Sequence, residues 1–204
     1  MKLWSCPREF PDSTIWIVAG GPSIRGVDLD CLKGRKVIAI NSSVFKVPFA
    51  DFLFFGDSRW WYQNHPLLKD FRGRCVTTTT AHTDPRVLYM RKVKPKPGLA
   101  EEPCALSMQY TSLQAAINLA WHLGASRMIL LGADNAPAKD GASHHHKPHT
   151  WPQRADCWDL QMQSLATIVK PLRKRGIEVI NTSLESRLPW WPKKALAECL
   201  TQYA

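Results

Sequence analysis

Short apolar runs alternate with longer amphipathic segments along the chain. The apolar runs predict buried strands, and the segments with apolar residues three and four positions apart predict helices. The predicted strands are Ile15 to Ala19, Val37 to Ile40, Asp51 to Gly56, Arg74 to Thr80, Val87 to Met90, Ser126 to Leu131 and Ile177 to Ile180. The predicted helices are Arg25 to Gly34, Ser58 to Leu68, Thr111 to Gly124, Arg154 to Arg175 and Pro192 to Tyr203. This alternation predicts one α/β domain over residues 1–204, Rossmann-like and three-layered, with a mostly parallel sheet covered on both faces.

Two segments predict no regular structure. Arg91 to Pro103 is rich in proline and long enough to form a mobile flap. Asn135 to Gln153 is a polar loop that follows a predicted strand and carries four histidines in six residues, from His144 to His149. Both segments separate elements of the predicted sheet, so they are candidates for binding loops.

Polar residues follow several predicted strands at the point where each strand ends. The carboxyl ends of parallel strands share one edge of a sheet, and ligands bind beyond that edge. The sequence therefore predicts a nucleotide site there, with a contribution from the start of the helix at Thr111. The residues predicted to bind the nucleotide are Gly20, Gly21, Pro22, Ser23, Asn41, Ser42, Asp57, Thr111, Ser112, Gly132 and Asn135.

Three of these positions have alternative interpretations. In the turn from Gly20 to Ser23, glycine allows positive φ and close approach to a ligand, while Ser23 either caps a helix or binds a phosphate oxygen. The same four residues are also typical of a tight turn between a strand and a helix. Asp57 either binds a ribose hydroxyl, a metal or an acceptor, or caps the next helix. Asn41 either reads a base or ribose or makes a local turn bond.

The histidine-rich loop predicts proton transfer, because imidazole is the side chain that titrates closest to neutral pH. From the residues alone, one histidine of this run is the candidate general base, and Asp134, at the end of the strand that leads into the loop, is a further catalytic candidate. A metal site is the rival interpretation, but three adjacent histidines cannot point at one ion without distortion, so the sequence predicts no metal. A solvated polar loop accounts for at least two of the four histidines.

The charge composition of the chain indicates which kind of molecule it binds. The chain has 204 residues, with 27 Lys and Arg against 17 Asp and Glu, a net charge of +10. Such an excess favours an acidic partner: nucleotide phosphates, nucleic acid or an anionic sugar. No apolar run approaches the length of a membrane span and the first residues do not form a leader, so we expect a cytoplasmic protein without a membrane partner. Nine tryptophans, two pairs of them adjacent, also allow an oligomer interface.

The order of motifs resembles a known enzyme family. The segments Ala19 to Ile24 and Val37 to Asn41 resemble the opening of the family-42 bacterial sialyltransferases and of the related MptE-like pyrophosphokinases. Thr111 to Asp134 is similar to their second signature, a helix that leads into a strand ending in Gly-x-Asp. Gly176 to Leu188 resembles their closing strand and turn. The segment from Ala50 to Trp61 looks like small phage-encoded members of this superfamily.

The sialyltransferase likeness implies an inverting transfer from a nucleotide-activated sugar that needs no metal. It places Gly20 to Ser23 and Asn41 at the nucleotide, and His149 at the general base, with His145 four residues before it. The family has tyrosines after its Gly-x-Asp motif that stabilise the leaving phosphate, and Asn135 to Ser143 has none. Lys139, Lys147 or Arg154 would have to supply that charge.

Three functions are therefore compared. The first is a nucleotide-sugar-dependent glycosyltransferase, with phage DNA or a modified base as one possible acceptor. The second is a pyrophosphokinase that uses ATP and Mg²⁺, for which Asp57 and Asp134 are the available ligands. The third is a protein that binds a nucleotide or nucleic acid without catalysis.

Overall fold

The computed structural model describes residues 2–80, 84–94, 98–147 and 154–203. Its strands are β1 (Thr14–Val18), β2 (Lys36–Ile40), β3 (Phe52–Phe55), β4 (Arg74–Thr77), β5 (Val87–Tyr89), β6 (Arg91–Val93), β7 (Ala105–Ser107), β8 (Arg127–Leu131) and β9 (Glu178–Asn181). Its α-helices are α1 (Ser58–Asn64), α2 (Ser112–Leu123), α3 (Cys157–Lys174) and α4 (Leu196–Gln202). Single 3₁₀ turns lie at Pro22–Ile24, Asp30–Leu32, Asn41–Phe45 and His65–Leu68.

Seven strands form one parallel sheet in the order β5-β4-β3-β2-β1-β8-β9, and β6 and β7 form a separate parallel pair. The central strands are apolar on both faces because helices cover both. One core lies between the sheet and the helices α2 and α3, and the other lies between the sheet and α1, α4 and the 3₁₀ turns. The predicted three-layer α/β fold is confirmed. In the described part of the chain, no helix has the length and apolar character needed to cross a membrane.

The strand order reverses between β1 and β8. The chain builds the sheet outward from β1 through β5 on one side and then returns to place β8 and β9 on the other. At such a reversal the loops after the two neighbouring strands lead to opposite faces, which opens a crevice at the carboxyl edge. The predicted site residues that follow β1 and β8 therefore meet at this crevice.

Helix α2 was predicted correctly, including its ends. Thr111 Oγ1 accepts a hydrogen bond from the Leu113 amide at 3.2 Å, and Gly124 ends the helix in the left-handed conformation with φ of 105°. Nine of its twelve residues are buried against the sheet and the neighbouring helix. This packing fixes the N-terminus of α2 at the carboxyl edge of the sheet.

The helix predicted from Arg25 to Gly34 is wrong. Only the 3₁₀ turn Asp30–Leu32 forms there, because Gly26 and Gly34 both adopt positive φ and interrupt the chain. The Asp28 carboxylate accepts a hydrogen bond from the Asp30 amide at 2.9 Å, which stabilises a turn in place of a helix. The apolar residues of this segment still reach the core.

Two further boundaries differ from the prediction. The segment predicted to be irregular from Arg91 to Pro103 begins with strand β6, which pairs in parallel with β7; residues 95–97 of it lie outside the described residues. The last helix was predicted from Pro192 but begins at Leu196. Before it, Asn181 exchanges backbone hydrogen bonds with Pro192 and Lys194, so those residues extend the sheet edge.

The turns after β1 and β8 are in direct backbone contact. The Gly21 amide donates to the Gly132 carbonyl at 2.9 Å, and Gly132 has φ of 66°. A Cβ atom on Gly21 would lie 1.9 Å from Asp134 Oδ2 and 2.4 Å from the Gly132 carbonyl oxygen. Neither Gly20 nor Gly21 has positive φ, contrary to the prediction, so Gly21 is required by the close approach of a second loop.

This contact predicts different outcomes for two adjacent substitutions. Gly21→Ala forces the loops apart and should lower the free energy of unfolding by about 3 kcal/mol, since the clash is with backbone and with a buried carboxylate. Gly20→Ala is the matched control: its Cβ would meet nothing closer than His144 Cδ2 at 3.4 Å. Its cost should stay below about 1 kcal/mol in a urea titration. Equal costs for the two variants would contradict the assigned packing.

Candidate functional site

A cavity of about 210 Å³ lies at the carboxyl edge, between the ends of β1, β2 and β8 and the N-termini of α2 and α3. Backbone, hydroxyl, carboxamide and imidazole groups line it together with aromatic and aliphatic side chains. The residues that line it are Ala19, Gly20, Gly21, Ile40, Asn41, Tyr110, Thr111, Ser112, Leu113, Gly132, Ala133, Asp134, Asn135, Ser143, His144, His146, Trp158, Gln161, Leu165 and Leu188. A concave site with a few polar groups on an apolar frame is typical of small-molecule binding.

Seven of the predicted nucleotide-binding residues line this cavity, as does Asp134. They are Gly20, Gly21, Asn41, Thr111, Ser112, Gly132 and Asn135 from four different elements, with Ser23 reaching it only through its bond to Asp134. Their meeting confirms the geometric part of the prediction, that the ends of distant strands share one edge.

Ser23 and Asp134 form the base of the crevice. The Ser23 hydroxyl donates to Asp134 Oδ2 at 2.9 Å and lies 2.8 Å from the Ser183 hydroxyl. Because the proton of Ser23 goes to the carboxylate, Ser183 is the donor of the second bond. Burial raises the pKa of Asp134, and the hydrogen bonds from Ser23 oppose that rise. Ser23 makes no helix-capping bond, contrary to one prediction, and instead ties together the loops after β1, β8 and β9.

Asn41 and Asn135 share an unusual combination of properties. Both have left-handed backbone, with φ of 50° and 52°, and both follow a strand end of the sheet. The side-chain oxygens of both are buried and have no hydrogen-bond partner among the described residues. Buried carboxamide oxygens are nearly always paired, so each is an acceptor that a ligand would satisfy.

Two helices direct their N-termini at the cavity. Thr111 and Ser112 begin α2, and Trp158 and Gln161 lie in the first turns of α3. The first amides of a helix lack partners within the helix, and the helix dipole adds positive potential there. The cavity is therefore suited to an anion next to an aromatic wall.

The histidine loop closes over the Gly20 turn. The His145 amide donates to the Gly20 carbonyl at 3.1 Å. The ring of His145 lies with Nε2 at 3.1 Å from the Ser43 hydroxyl, which itself donates to the Ala19 carbonyl at 2.9 Å. Ser43 must therefore accept from His145 Nε2–H. Burial, together with smaller contributions from the neighbouring His146, Lys46 and His144, lowers the pKa of His145 to about 4. His145 does not line the cavity, and its contacts with Gly20 and Ser43 anchor the loop; its catalytic role stays a prediction.

His144 and His146 lie above Gly20 and line the cavity. Their rings stack with centroids 4.9 Å apart. His146 Nδ1 lies 2.7 Å from the Lys147 carbonyl, which only accepts, so Nδ1 carries the proton and Nε2 is the basic nitrogen. That Nε2 atom would lie 3.8 Å from a Cβ built on Gly20. Burial also lowers the pKa of His146, which favours the neutral ring. His149, the other predicted catalytic histidine, lies outside the described residues.

Besides Ser23, three predicted ligands of the nucleotide do not line the cavity. Asp57 caps α1 by accepting from the Arg59 amide at 2.9 Å and also pairs with the Arg59 side chain, which confirms the capping interpretation. Ser42 accepts a hydrogen bond from the buried Trp60 indole at 2.8 Å. Pro22 lies on the other side of Asp134, in a more open groove along the loops after β8 and β9.

Sequence reasoning missed several residues that line the cavity. Tyr110, Trp158 and Gln161 lie at or just before the starts of α2 and α3, and Ser143, His144 and His146 lie on the loop. A signal was present, since a helix that returns to a parallel strand begins at the same edge where the strands end. Attention to the residues around the starts of both predicted helices would have pointed to the first three.

Potential metal ligands are not clustered. In residues 2–80, 84–94, 98–147 and 154–203, no group of three or more His, Cys, Asp or Glu side chains could hold a metal ion. Asp57 and Asp134, the two aspartates considered for Mg²⁺, have separate partners in Arg59 and Ser23. The described residues therefore offer no preformed divalent-cation site.

Solved structures share this fold, whereas no protein-family model and no curated protein matches the chain. The sialyltransferase CstII from Campylobacter jejuni, in complex with the substrate analogue cytidine-5'-monophosphate, has 13% identity and a TM-score of 0.55, over 90% of this chain and 85% of CstII. A CstII complex with a trisaccharide acceptor and CMP has a TM-score of 0.52 at 13% identity, over 89% and 86% of the two chains.

The MAf glycosyltransferase from Magnetospirillum magneticum AMB-1 has 14% identity and a TM-score of 0.65, over 94% of this chain but 35% of MAf. The chain therefore corresponds to about a third of that protein. At these identities the likeness is one of fold. The protein has an α/β fold that also occurs in glycosyltransferases.

The His145–Ser43 contact predicts a loss of stability in acid. The pKa of His145 is about 4 in the folded protein against an ordinary 6.5, so between these values only the unfolded chain binds the proton. The stability contributed by neutral His145 is complete above pH 6.5 and is lost as the pH falls towards 4. The loss should amount to about 1 kcal/mol after allowance for partial solvent exposure.

His145→Gln is the matched variant, because its amide still donates to Ser43 but does not titrate. Denaturant titrations of both proteins at pH 7.5 and 4.5 should show the extra acid loss only with histidine. The raised pKa of Asp134 acts in the opposite direction but equally in both proteins. An identical pH dependence of the two proteins would show that the His145 ring is not buried as described.

Proposed function

We propose that the protein is a glycosyltransferase that uses a nucleotide-activated sugar, with the nucleotide bound in the cavity between β1 and β8. The observation that carries this proposal is the meeting of two unpaired carboxamide oxygens, two helix N-termini and a basic imidazole in one crevice. A nucleotide sugar supplies hydrogen-bond donors, an anion and a planar base to match them. The fold shared with glycosyltransferases supports the same conclusion.

The nucleotide phosphates fit best near the start of α2. Thr111 and Ser112 line the cavity at the positive end of this helix, and Gly20 leaves room on the opposite wall. Asn41, at the end of β2, is the acceptor for a ribose hydroxyl. Gly132 and Gly21 act by holding the two loops together, and Asn135 contributes the second unpaired oxygen.

An imidazole of the loop would act as the general base of an inverting transfer. It removes the proton of an acceptor hydroxyl while that oxygen attacks the anomeric carbon, and the bond from this carbon to the nucleotide phosphate breaks on the opposite face. His146 is the described histidine suited to this step, because its Nδ1 proton is held by Lys147 and its basic Nε2 lies at the cavity. His149 is the residue that the family resemblance puts in the same role. Asp134 acts as a positioning residue through Ser23.

The leaving phosphate needs stabilisation that the loop after β8 does not supply through tyrosine. Tyr110 reaches the same cavity from the segment before α2, and the α2 N-terminus adds positive potential. Arg154 and Lys139 are less suited, because Arg154 makes two bonds to Asp156 and Lys139 is almost fully exposed near Glu185. We propose that the Tyr110 hydroxyl stabilises the leaving phosphate, as the tyrosines after the Gly-x-Asp motif do in the family that the sequence resembles.

A Mg²⁺-dependent pyrophosphokinase is the less favoured alternative, since Asp57 serves as a helix cap and Asp134 is bonded to Ser23. A nucleic-acid acceptor, a phage origin, a cytoplasmic location and an oligomer stay predictions from the sequence. Turnover with an acceptor panel distinguishes a nucleic acid from a sugar.

The proposal predicts release of nucleotide from at least one member of a panel of CMP-, UDP-, GDP- and ADP-sugars, unaffected by EDTA. His146→Ala should lower turnover about 100-fold or more. It should leave the dissociation constant of the free nucleotide within about threefold, because a base acts mainly in the transition state. His149→Ala is assayed in parallel to decide between the two histidines, and His65→Ala, on a 3₁₀ turn away from the cavity, is the control.

Two results would contradict the proposal. Nucleotide binding without turnover of any donor would indicate a binding protein, and turnover abolished by EDTA would favour the pyrophosphokinase. Full activity of both His146→Ala and His149→Ala would exclude the loop as the source of the base while leaving the cavity assignment to be judged by binding.

A further inference from the structure

Asn135 is the most completely buried of the unpaired acceptors in the cavity. It follows Asp134 directly, is 6% exposed and has φ of 52°. Its Nδ2 donates to the Trp158 carbonyl at 3.0 Å, whereas its Oδ1 is buried with no partner among the described residues. Reversing the amide would put its oxygen against the Trp158 carbonyl oxygen. The bond to Trp158 therefore fixes the orientation of the Asn135 carboxamide, and Oδ1 remains as its acceptor for another group.

The surroundings of this oxygen select the kind of donor that reaches it. The Trp158 carbonyl accepts from the same carboxamide, and the Asp134 carboxylate lines the same cavity, so this wall suits a donor group of a ligand and disfavours a phosphate or carbonyl oxygen. Tyr110 and Trp158 line the same cavity and suit a planar ring. An N–H flanked by two carbonyl oxygens, as in uracil, would bring oxygen atoms against these acceptors. An exocyclic amino group brings two hydrogens and no oxygen.

We propose that Asn135 Oδ1 accepts a hydrogen bond from the exocyclic amino group of the nucleotide's base, which makes Asn135 the residue that selects an amino-bearing base over uracil. This inference rests on the proposed function, because it requires a nucleotide in the cavity. It adds a specificity that neither the fold nor the histidine loop implies.

A purely structural role for Asn135 makes a different prediction. Asparagine tolerates the left-handed conformation well, and its bond to Trp158 joins the loop to α3. In that case removal of the side chain weakens all ligands alike. Asn135→Gly separates the two roles, since glycine keeps the backbone conformation without strain and lacks the carboxamide.

The test compares ligands that differ in one amino group. Isothermal titration measures the affinity of the unaltered protein for cytidine 5'-monophosphate and its 4-deamino analogue, and for adenosine 5'-monophosphate and purine riboside 5'-monophosphate, with uridine 5'-monophosphate as the amino-free natural base. For the base that fits, loss of the amino group should weaken binding about tenfold in the unaltered protein. In Asn135→Gly the same loss should change affinity by less than about twofold.

Each contrary outcome has one meaning. If a nucleotide binds but the unaltered protein is indifferent to the amino group, or if Asn135→Gly keeps the full preference, the Asn135 inference is wrong and the proposed function stands. If none of these nucleotides binds, and guanosine 5'-monophosphate does not bind either, both are wrong. The ligand comparison on the unaltered protein decides the matter even if Asn135→Gly does not fold.

Discussion

The site depends on a backbone contact between two loops that are far apart in the sequence. The Gly21 amide donates to the Gly132 carbonyl, and no side chain fits between Gly21 and the Asp134 carboxylate. Because β1 and β8 are adjacent parallel strands, this contact lies where the strand order reverses. This contact joins the two loops at the base of the crevice, and beyond it the loops diverge. The contact therefore determines the positions of the residues that line the cavity.

The polar groups at this edge divide into two sets. One set is satisfied within the protein: Ser23 bonds to Asp134 and Ser183, and Ser43 joins His145 to the end of β1. These bonds fix the loops before any ligand arrives. The other set consists of the side-chain oxygens of Asn41 and Asn135, which have no hydrogen-bond partner in the described part of the chain. A buried acceptor that stays unpaired costs about 1 to 3 kcal/mol. Such a cost is typical of sites where stability is given up for function.

The sequence predicted the features that follow from strand ends and helix caps. The apolar runs gave the parallel sheet, and its shared edge brought Gly20, Asn41 and Asn135 together. The sequence did not distinguish the roles of residue types that can either bind a ligand or stabilise the fold. Asp57 looks the same as a ligand or a cap, and only its bond to the Arg59 amide distinguishes them. Spacing along the chain also could not tell which histidine is anchored, since that depends on Ser43, about 100 residues away.

Local turn chemistry and tertiary packing account for the remaining differences. The segment after Ser23 has the length and polarity of a helix, yet two glycines at positive φ and the Asp28 turn fold it differently. Gly21 was assigned to ligand approach, but the atoms that require it belong to the turn after β8. The Asp28 turn and the two glycines are local signals that length and polarity alone overlook, whereas the Gly21 contact joins distant segments and is not visible to periodicity or propensity.

Nuclear magnetic resonance of ¹⁵N-labelled protein, titrated with cytidine 5'-monophosphate or whichever nucleotide binds, tests the central assignment most directly. The account predicts that the nucleotide binds at a single site. At saturation, the largest chemical-shift changes should fall on the Asn41 and Asn135 carboxamides and on the Gly20 and Gly132 backbone amides. Changes confined to the basic segment from Lys170 to Lys194, with the two carboxamides unmoved, would contradict it.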